Sequence, residues 1–372
     1  MGSGHDGAAV APLLTRRLAV PVAIFLSSRA VVLVAAHVAR LIKAQPLTAV
    51  LSRWDGQHYL EIVRDGYPPT LPDGGAQSVH AFFPAFPLLV RAVVRATGLA
   101  PNTAGVVTTV TLATVAAAVI WLLARDVAGE EAATRAVLLF SFFPGSFVLG
   151  LIYSEGLFLA LAAVCLLALH RRGWLVAGLA AAAAGATRPT GIVLAACCAW
   201  AAVDAIRRRR QWSALVAPAL APVGFLAWTA FLAAHTGDPT AWIRSQRRGW
   251  GQGFDFGAHT ARSIGGFLAD PLGDFNRAVG VVAIAVLVAG LVLLWRTRAP
   301  AVQWLYTAGI MVPALFSAVL TSTPRFVLSA FPLHVAAGRR LSGTAFAVVL
   351  ALSATLLGLL AVVADTSLLF TP

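Results

Sequence analysis

Apolar segments about as long as a bilayer is thick recur from residue 18 to residue 364, and most end at an arginine, a glycine or a proline. Backbone groups that meet lipid must bond within their own segment, and long apolar runs without strand-like alternation do so as helices. A window of roughly 19 residues gives about eleven spans, at 18–42, 102–124, 132–152, 154–169, 173–187, 190–206, 213–234, 277–295, 301–320, 326–338 and 342–364. The spans 173–187 and 326–338 fall short of the ~20 residues a crossing helix needs, which points to tilted or broken helices around a cavity. The expected class is an all-α polytopic membrane protein. It forms one integral membrane domain over residues 1–372, because no internal repeat and no dividing linker is visible. Composition agrees: 12% of residues are charged, against about 25% in a soluble domain.

The N-terminal residues 1–15 are polar and small, and Arg16-Arg17 then opens an apolar run. That run continues past Arg29 to Ile42 without an Ala-x-Ala cleavage site near its start, so it reads as a retained first helix rather than a signal peptide. With eleven spans, Arg16-Arg17, Arg125, Arg171-Arg172, Arg207 to Arg210, Arg296, Arg298 and Arg339-Arg340 all fall on one side. The positive-inside rule makes that side cytoplasmic. The loops 43–101 and 235–276 are then outside, the N-terminus inside and the C-terminus outside. The net charge of +13 thus belongs to helix ends and is no sign of nucleic acid; of 28 basic residues only Lys43 is a lysine. Cys165, Cys197 and Cys198 lie in apolar runs and read as small buried thiols. No metal-ligand spacing and no cofactor motif is present. Gly249-Trp-Gly-Gln-Gly-Phe-Asp-Phe-Gly257 lacks nucleotide-binding spacing and follows no strand. It suits either a lid over a sugar or lipid headgroup or a plain surface loop.

The first long loop carries the densest set of ionisable groups: Asp55, His58, Glu61, Arg64, Asp65, Asp73 and His80. Unpaired charge in hydrocarbon is costly, so this stretch is solvated or lines a polar cavity. Trp54, His58, Glu61 and Asp65 recur at helical spacing over 53–65, and Gly66-Tyr-Pro-Pro69 stops the pattern. Residues 86–97 set Phe86, Leu89, Val90, Val93 and Val94 against Arg91 and Arg95, an amphipathic segment suited to the interface.

Each candidate site residue admits two readings. Asp55 can take a proton from an attacking hydroxyl, or Ser52-x-x-Asp55 can be a capping box. His58, one turn on, can tune Asp55 or touch substrate; His58-x-x-Glu61 as a metal pair lacks further ligands. Glu155, after Ser154, is either a carboxylate at a helix start or a polar wall of a cavity. Arg188, in Thr187-Arg-Pro-Thr-Gly191, can bind phosphate through two bonds or be a turn arginine reaching headgroups. Arg325 repeats that design in Thr321-Ser-Thr-Pro-Arg325. Arg29, in the middle of the first span, demands a partner, functional or structural.

Together these motifs resemble a known family. Ser28-Arg29, Trp54-Asp-Gly-x-His-Tyr59, Gly66-Tyr67, Ala81-Phe-Phe-Pro-x-Phe-Pro-Leu88, Tyr153-Ser-Glu-x-Leu-Phe158 and Ala186-Thr-Arg-Pro-Thr-Gly191 stand in the order seen in GPI mannosyltransferase 2, the PIG-V-like group of GT-C glycosyltransferases. The resemblance covers about the first half of the chain; Pro189 and Thr190 stand where eukaryotic members tend to have Ser-Asn. It implies a GT-C-like fold with interfacial helices in the first outer loop and an extracytoplasmic site. The implied reaction is inverting transfer of mannose from polyprenyl-phosphate-mannose. It assigns Asp55 as catalytic base and Arg188, Arg29 and Arg325 to the donor phosphate. His58 and Glu155, with Trp54 and Tyr153 of the matched motifs, would line the sugar site. The alanine- and arginine-rich, lysine-poor composition suits a high-GC bacterium. GPI anchors are not expected there, so the acceptor would be another lipid, glycan or protein. Two further classes remain open: a transporter or flippase of polyprenyl-linked glycans, and a non-catalytic subunit of a mannosyltransferase complex.

Overall fold

The computed structural model describes residues 6–72, 76–316 and 322–366, with side chains from residue 17 onward. The regular elements are α-helices and short 3-10 turns. Among the described residues six helices are long and apolar enough to cross a membrane: Arg17–Lys43, Pro101–Ala128, Pro189–Arg209, Trp212–Thr236, Phe275–Arg296 and Gly343–Thr366. Glu130–Ser141 and Pro144–Gly150 make a seventh if the pair, bent by 75°, is counted as one span.

The expected eleven spans are therefore not reached, and helix length is the reason. The segments at 154–169 and 173–187 form Glu155–His170 and Trp174–Gly185, of 16 and 12 residues. At 1.5 Å per residue they measure about 24 and 18 Å, against a hydrocarbon core of about 30 Å. The segment at 326–338 divides into Thr323–Ser329 and Pro332–Arg340, because Pro332 has no backbone N–H to continue the first helix. The segment at 301–320 forms Ala301–Leu315; its last residues, like Asp73 and Thr321, lie outside the described residues.

Small residues let these short helices sit deep in the molecule. Pro101–Ala128, Glu155–His170 and Trp174–Gly185 pack in series. A Cβ on Gly156 would stand 2.8 Å from the Thr109 carbonyl oxygen, so only glycine permits that backbone approach. Asp6–Lys43 packs against Gly343–Thr366, and Pro332–Arg340 against Glu130–Ser141.

The arginine-bearing helix ends gather as the alternation of charge requires. Arg171 Nε donates to Asp126 Oδ2 at 2.8 Å, Arg17 lies 3.7 Å from Glu130, Arg339 Nη1 donates to Thr297 O at 3.0 Å, and Arg340 donates to Arg296 O. Glu155 begins the helix whose other end carries His170 and Arg171, so the acidic cluster described next lies away from this basic end.

The first loop folds as its pattern predicts. Asp55–Asp65 is helical and stops at Gly66, whose φ of +81° is left-handed and natural only to glycine. Ala85–Thr97 follows and ends at Gly98 in the same way. Arg91, expected on the polar face of that second helix, turns inward instead. It donates to Val63 O at 2.8 Å and to Ile62 O at 2.5 Å, two carbonyls of the last turn of the first helix.

Candidate active site

A cavity of about 890 Å³ opens between the first loop and the helix Ala241–Trp250. Asp55 and Tyr59 of Asp55–Asp65 form one wall, Thr187 to Thr190 a second, and Ser322, Thr323 and Arg325 a third. Phe82, Phe83, Phe225, Phe254 and Phe316 supply aromatic surface between them.

The charged groups are linked in one chain. Asp55 Oδ2 accepts from Arg325 Nη2 at 2.9 Å. Arg325 Nε donates to Glu155 Oε1 at 2.8 Å. Arg188 Nη1 pairs with the same Glu155 oxygen. One buried carboxylate oxygen thus holds both arginines. Two acids and two bases balance, as a low-dielectric setting demands. Glu155 is not among the residues that line the cavity; it stands behind them, fully buried. Asp55, by contrast, faces the cavity with about a quarter of its side chain exposed.

Backbone geometry aims these groups. Trp54 precedes the helix at φ +58° and ψ −128°, a strained conformation for a bulky residue. The kink makes Asp55 the first helical residue. The capping-box reading fails, because Ser52 Oγ donates instead to Ala49 O at 3.3 Å, and no side chain caps the helix. Tyr153 lies beneath the cluster. Its ring sits 4.7 Å from the Arg325 guanidinium carbon, within cation–π range, and its hydroxyl accepts from the Asp55 backbone N–H at 3.4 Å. Ser154 stands at the cap position of Glu155–His170, but its hydroxyl accepts from Tyr59 at 2.7 Å rather than capping. A Cβ on Gly145 would lie 2.6 Å from Pro324 O, so this glycine lets the bent Pro144–Gly150 turn press against the segment that carries Arg325.

The other expected residues divide. His58 Nε2 meets Gln77 Oε1 at 3.2 Å and its ring stacks on Phe82 at 5.0 Å, with the edge of Trp250 at 5.6 Å. It stands just behind Gln77 and Phe82, both cavity residues. Its Nδ1 is 3.9 Å from Glu61 Oε2; among the described residues no third acidic, histidine or cysteine ligand joins them. Trp54 has its indole over the Arg53 guanidinium at 4.9 Å and outside the cavity lining. Arg29 does not join the cluster at all. It is buried, donating to Ser146 O at 2.5 Å, Ser146 Oγ at 2.9 Å and Ser141 O at 3.1 Å. Its task is to satisfy carbonyls freed at the 75° bend, the structural one of its two readings.

The helix Ala241–Trp250 went unrecognised in the sequence. Trp242, Gln246, Arg247 and Trp250 line the cavity from above, and Gln246 Nε2 bonds Ala81 O at 3.3 Å. The signal was present: Trp242, Gln246 and Trp250 recur every four residues. The first loop is locked by His80, whose Nδ1 accepts from Ser78 Oγ at 2.6 Å while Nε2 donates to Pro68 O at 2.8 Å. Burial lowers the His80 pKa and keeps the ring neutral.

Known proteins give this arrangement a context. The family profile described as "Mannosyltransferase (PIG-V)" matches residues 14–214, just over half of the chain, and takes in Asp55, Glu155 and Arg188. No curated protein matches the sequence. Among solved structures, ArnT from Cupriavidus metallidurans bound to undecaprenyl phosphate is similar at 18% identity and a TM-score of 0.51, over 78% of this chain and 56% of that one. The Archaeoglobus fulgidus oligosaccharyltransferase in complex with Zn and sulfate is similar at 16% identity and a TM-score of 0.52, over 92% of this chain and 53% of that one. This chain spans about half the length of each. At such identity the likeness establishes the fold, which is GT-C-like. The profile match over the half that carries Asp55, Glu155 and Arg188 establishes more: the chain belongs to the PIG-V mannosyltransferase family, a family of membrane glycosyltransferases.

Proposed function

We infer that this protein transfers mannose from polyprenyl-phosphate-mannose to a hydroxyl of a lipid, glycan or protein acceptor, with inversion at the anomeric carbon. The observation that carries the reading is the set Asp55, Arg325 and Arg188 on the wall of one cavity, linked through Glu155 behind it. An acceptor hydroxyl is a weak nucleophile, and Asp55 presents Oδ1, which has no hydrogen-bond partner among the described residues, to take its proton. The acceptor oxygen then bonds to the anomeric carbon as the bond from that carbon to the phosphate oxygen breaks. The electron pair leaves on the phosphate, where Arg188 and Arg325 stabilise the growing charge. A donor phosphate that draws Arg325 also releases Asp55 Oδ2 from its bond to that arginine.

A cavity of about 890 Å³ is ample for a mannosyl phosphate together with an acceptor group. A polyprenyl-phosphate donor agrees with the undecaprenyl phosphate named for the similar ArnT structure. The site lies away from the arginine-bearing helix ends, which under the positive-inside rule supports an extracytoplasmic site. The deciding assay gives the purified full chain polyprenyl-phosphate-mannose or GDP-mannose, with extracted membrane lipids as acceptors. Transfer is expected from the lipid donor alone. Use of GDP-mannose with the lipid donor ignored would overturn the reading, and activity only after adding a partner protein would favour the subunit alternative.

A further inference from the structure

A second cavity, of about 330 Å³, lies at the opposite end of the helix that Glu155 begins. His170 closes that helix on the cavity rim, 15 residues on, or about 22 Å at 1.5 Å per residue. It is therefore separate from the Asp55 cluster. Arg298 and Arg339 stand on the rim, and the N-terminus of Ala301–Leu315 opens into it at Pro300. Gln303 forms part of the lining. Its residue is 7% exposed, and its side-chain amide has no hydrogen-bond partner among the described residues. That amide opens to the cavity, and beside two guanidiniums and a helix N-terminus it offers donors to a ligand with acceptor oxygens. The one acid present, Asp126, is already engaged by Arg171 at 2.8 Å and Arg125 at 3.5 Å. Arg298 holds φ +50°, where glycine is the easier residue.

We propose that this notch binds a phosphate-bearing anion, supplied by the headgroup of an anionic phospholipid. Three features select that class. Arg298, Arg339 and the Gln303 amide line the same notch, and guanidinium and amide N–H groups are the donors that phosphate oxygens take. The volume of about 330 Å³ is more than a bare phosphate fills and enough for a phosphate with its glycerol. The notch also opens on the basic end of the molecule, where arginines from five helices meet; basic pockets at that face attract anionic headgroups.

The test uses the full chain in nonionic detergent, with thermal unfolding followed as phosphatidylglycerol, phosphatidylcholine or inorganic phosphate is titrated in. Phosphatidylglycerol is expected to raise the Tm and phosphatidylcholine to leave it unchanged. Arg298→Gly suits the local backbone and Gln303→Met keeps side-chain volume, so both variants fold. Each should need about tenfold more phosphatidylglycerol for the same rise, as the loss of one charge-assisted bond implies. Arg209→Ala, at the same face but outside the notch, should respond as the wild type. An equal response in wild type and Arg298→Gly, or a rise no greater than with phosphatidylcholine, overturns the site. If inorganic phosphate alone reproduces the rise and the same substitutions remove it, the lipid source is overturned in favour of free phosphate.

Discussion

Asp55 and Glu155 are both carboxylates on the same arginine, yet their surroundings set them different tasks. Asp55 borders the cavity; Glu155 lies behind it and touches only protein. Asp55→Asn keeps the shape and removes the basic charge. Turnover should fall at least about a hundredfold while detergent stability stays near wild type, measured by single-turnover transfer and by unfolding. Glu155→Ala leaves two guanidiniums with one counter-charge, and unfolding should show a loss of about 3–5 kcal/mol, the usual result of breaking a buried pair. The motif around Trp54-Asp55 was legible because its residues are neighbours in the chain. The bonds from Arg325 to Asp55 and Glu155 were not, because they span 270 and 170 positions, and no local pattern encodes such a meeting. Arg29 was read as half-functional for a related reason: sequence shows a charge that needs a partner, but its partners are the carbonyls of Ser141 and Ser146, which carry no side-chain signature.

Among elements, the helix Ala241–Trp250 and the Pro144–Gly150 turn border the site without supplying any of the linked charges Asp55, Arg325, Glu155 and Arg188. Gly145→Ala would push on Pro324 O and shift Arg325; displacement by about 1 Å can cost 10²-fold, so kcat/KM should fall at least about tenfold with expression retained. The first loop makes a pH prediction. Burial lowers the His80 pKa in the folded protein, so between about 6.5 and that lowered value the unfolded chain binds more protons. Stability present above about pH 6.5 is lost as pH falls through the folded value. The Tm of wild type should drop between pH 7 and pH 5 by more than that of His80→Gln. Helices at 55–65 and 85–97 were legible from spacing and from Gly66 and Gly98. Short membrane helices look like full spans in the sequence because hydropathy reports composition, whereas the breaks after Ser141 and Ser329 come from the geometry of the backbone before Pro144 and Pro332.

For the whole molecule, the segregation of arginines at one end makes a topology that can be tested directly. Cysteine replacing Thr70, which is exposed beside the first-loop helices, should react with an impermeant maleimide on intact cells. Cysteine replacing Ser342, exposed beside Arg339-Arg340, should react only after lysis. The native cysteines are buried and give little background. One further property follows from Trp174–Gly185. Leu175, Val176 and Leu179 on this helix face outward, yet the helix has 12 residues and a length of only about 18 Å. Its apolar outer face is thus shorter than an undeformed hydrocarbon slab of about 30 Å, a mismatch that thinning of the lipid beside it relieves. Such a pinch lies next to the Thr187–Thr190 wall of the cavity and shortens the vertical distance that a long-chain substrate's headgroup travels to reach it. Hydrophobic mismatch thereby becomes a control variable: turnover in nanodiscs should rise as the acyl chains of the host lipid are shortened, with no change in any residue of the site.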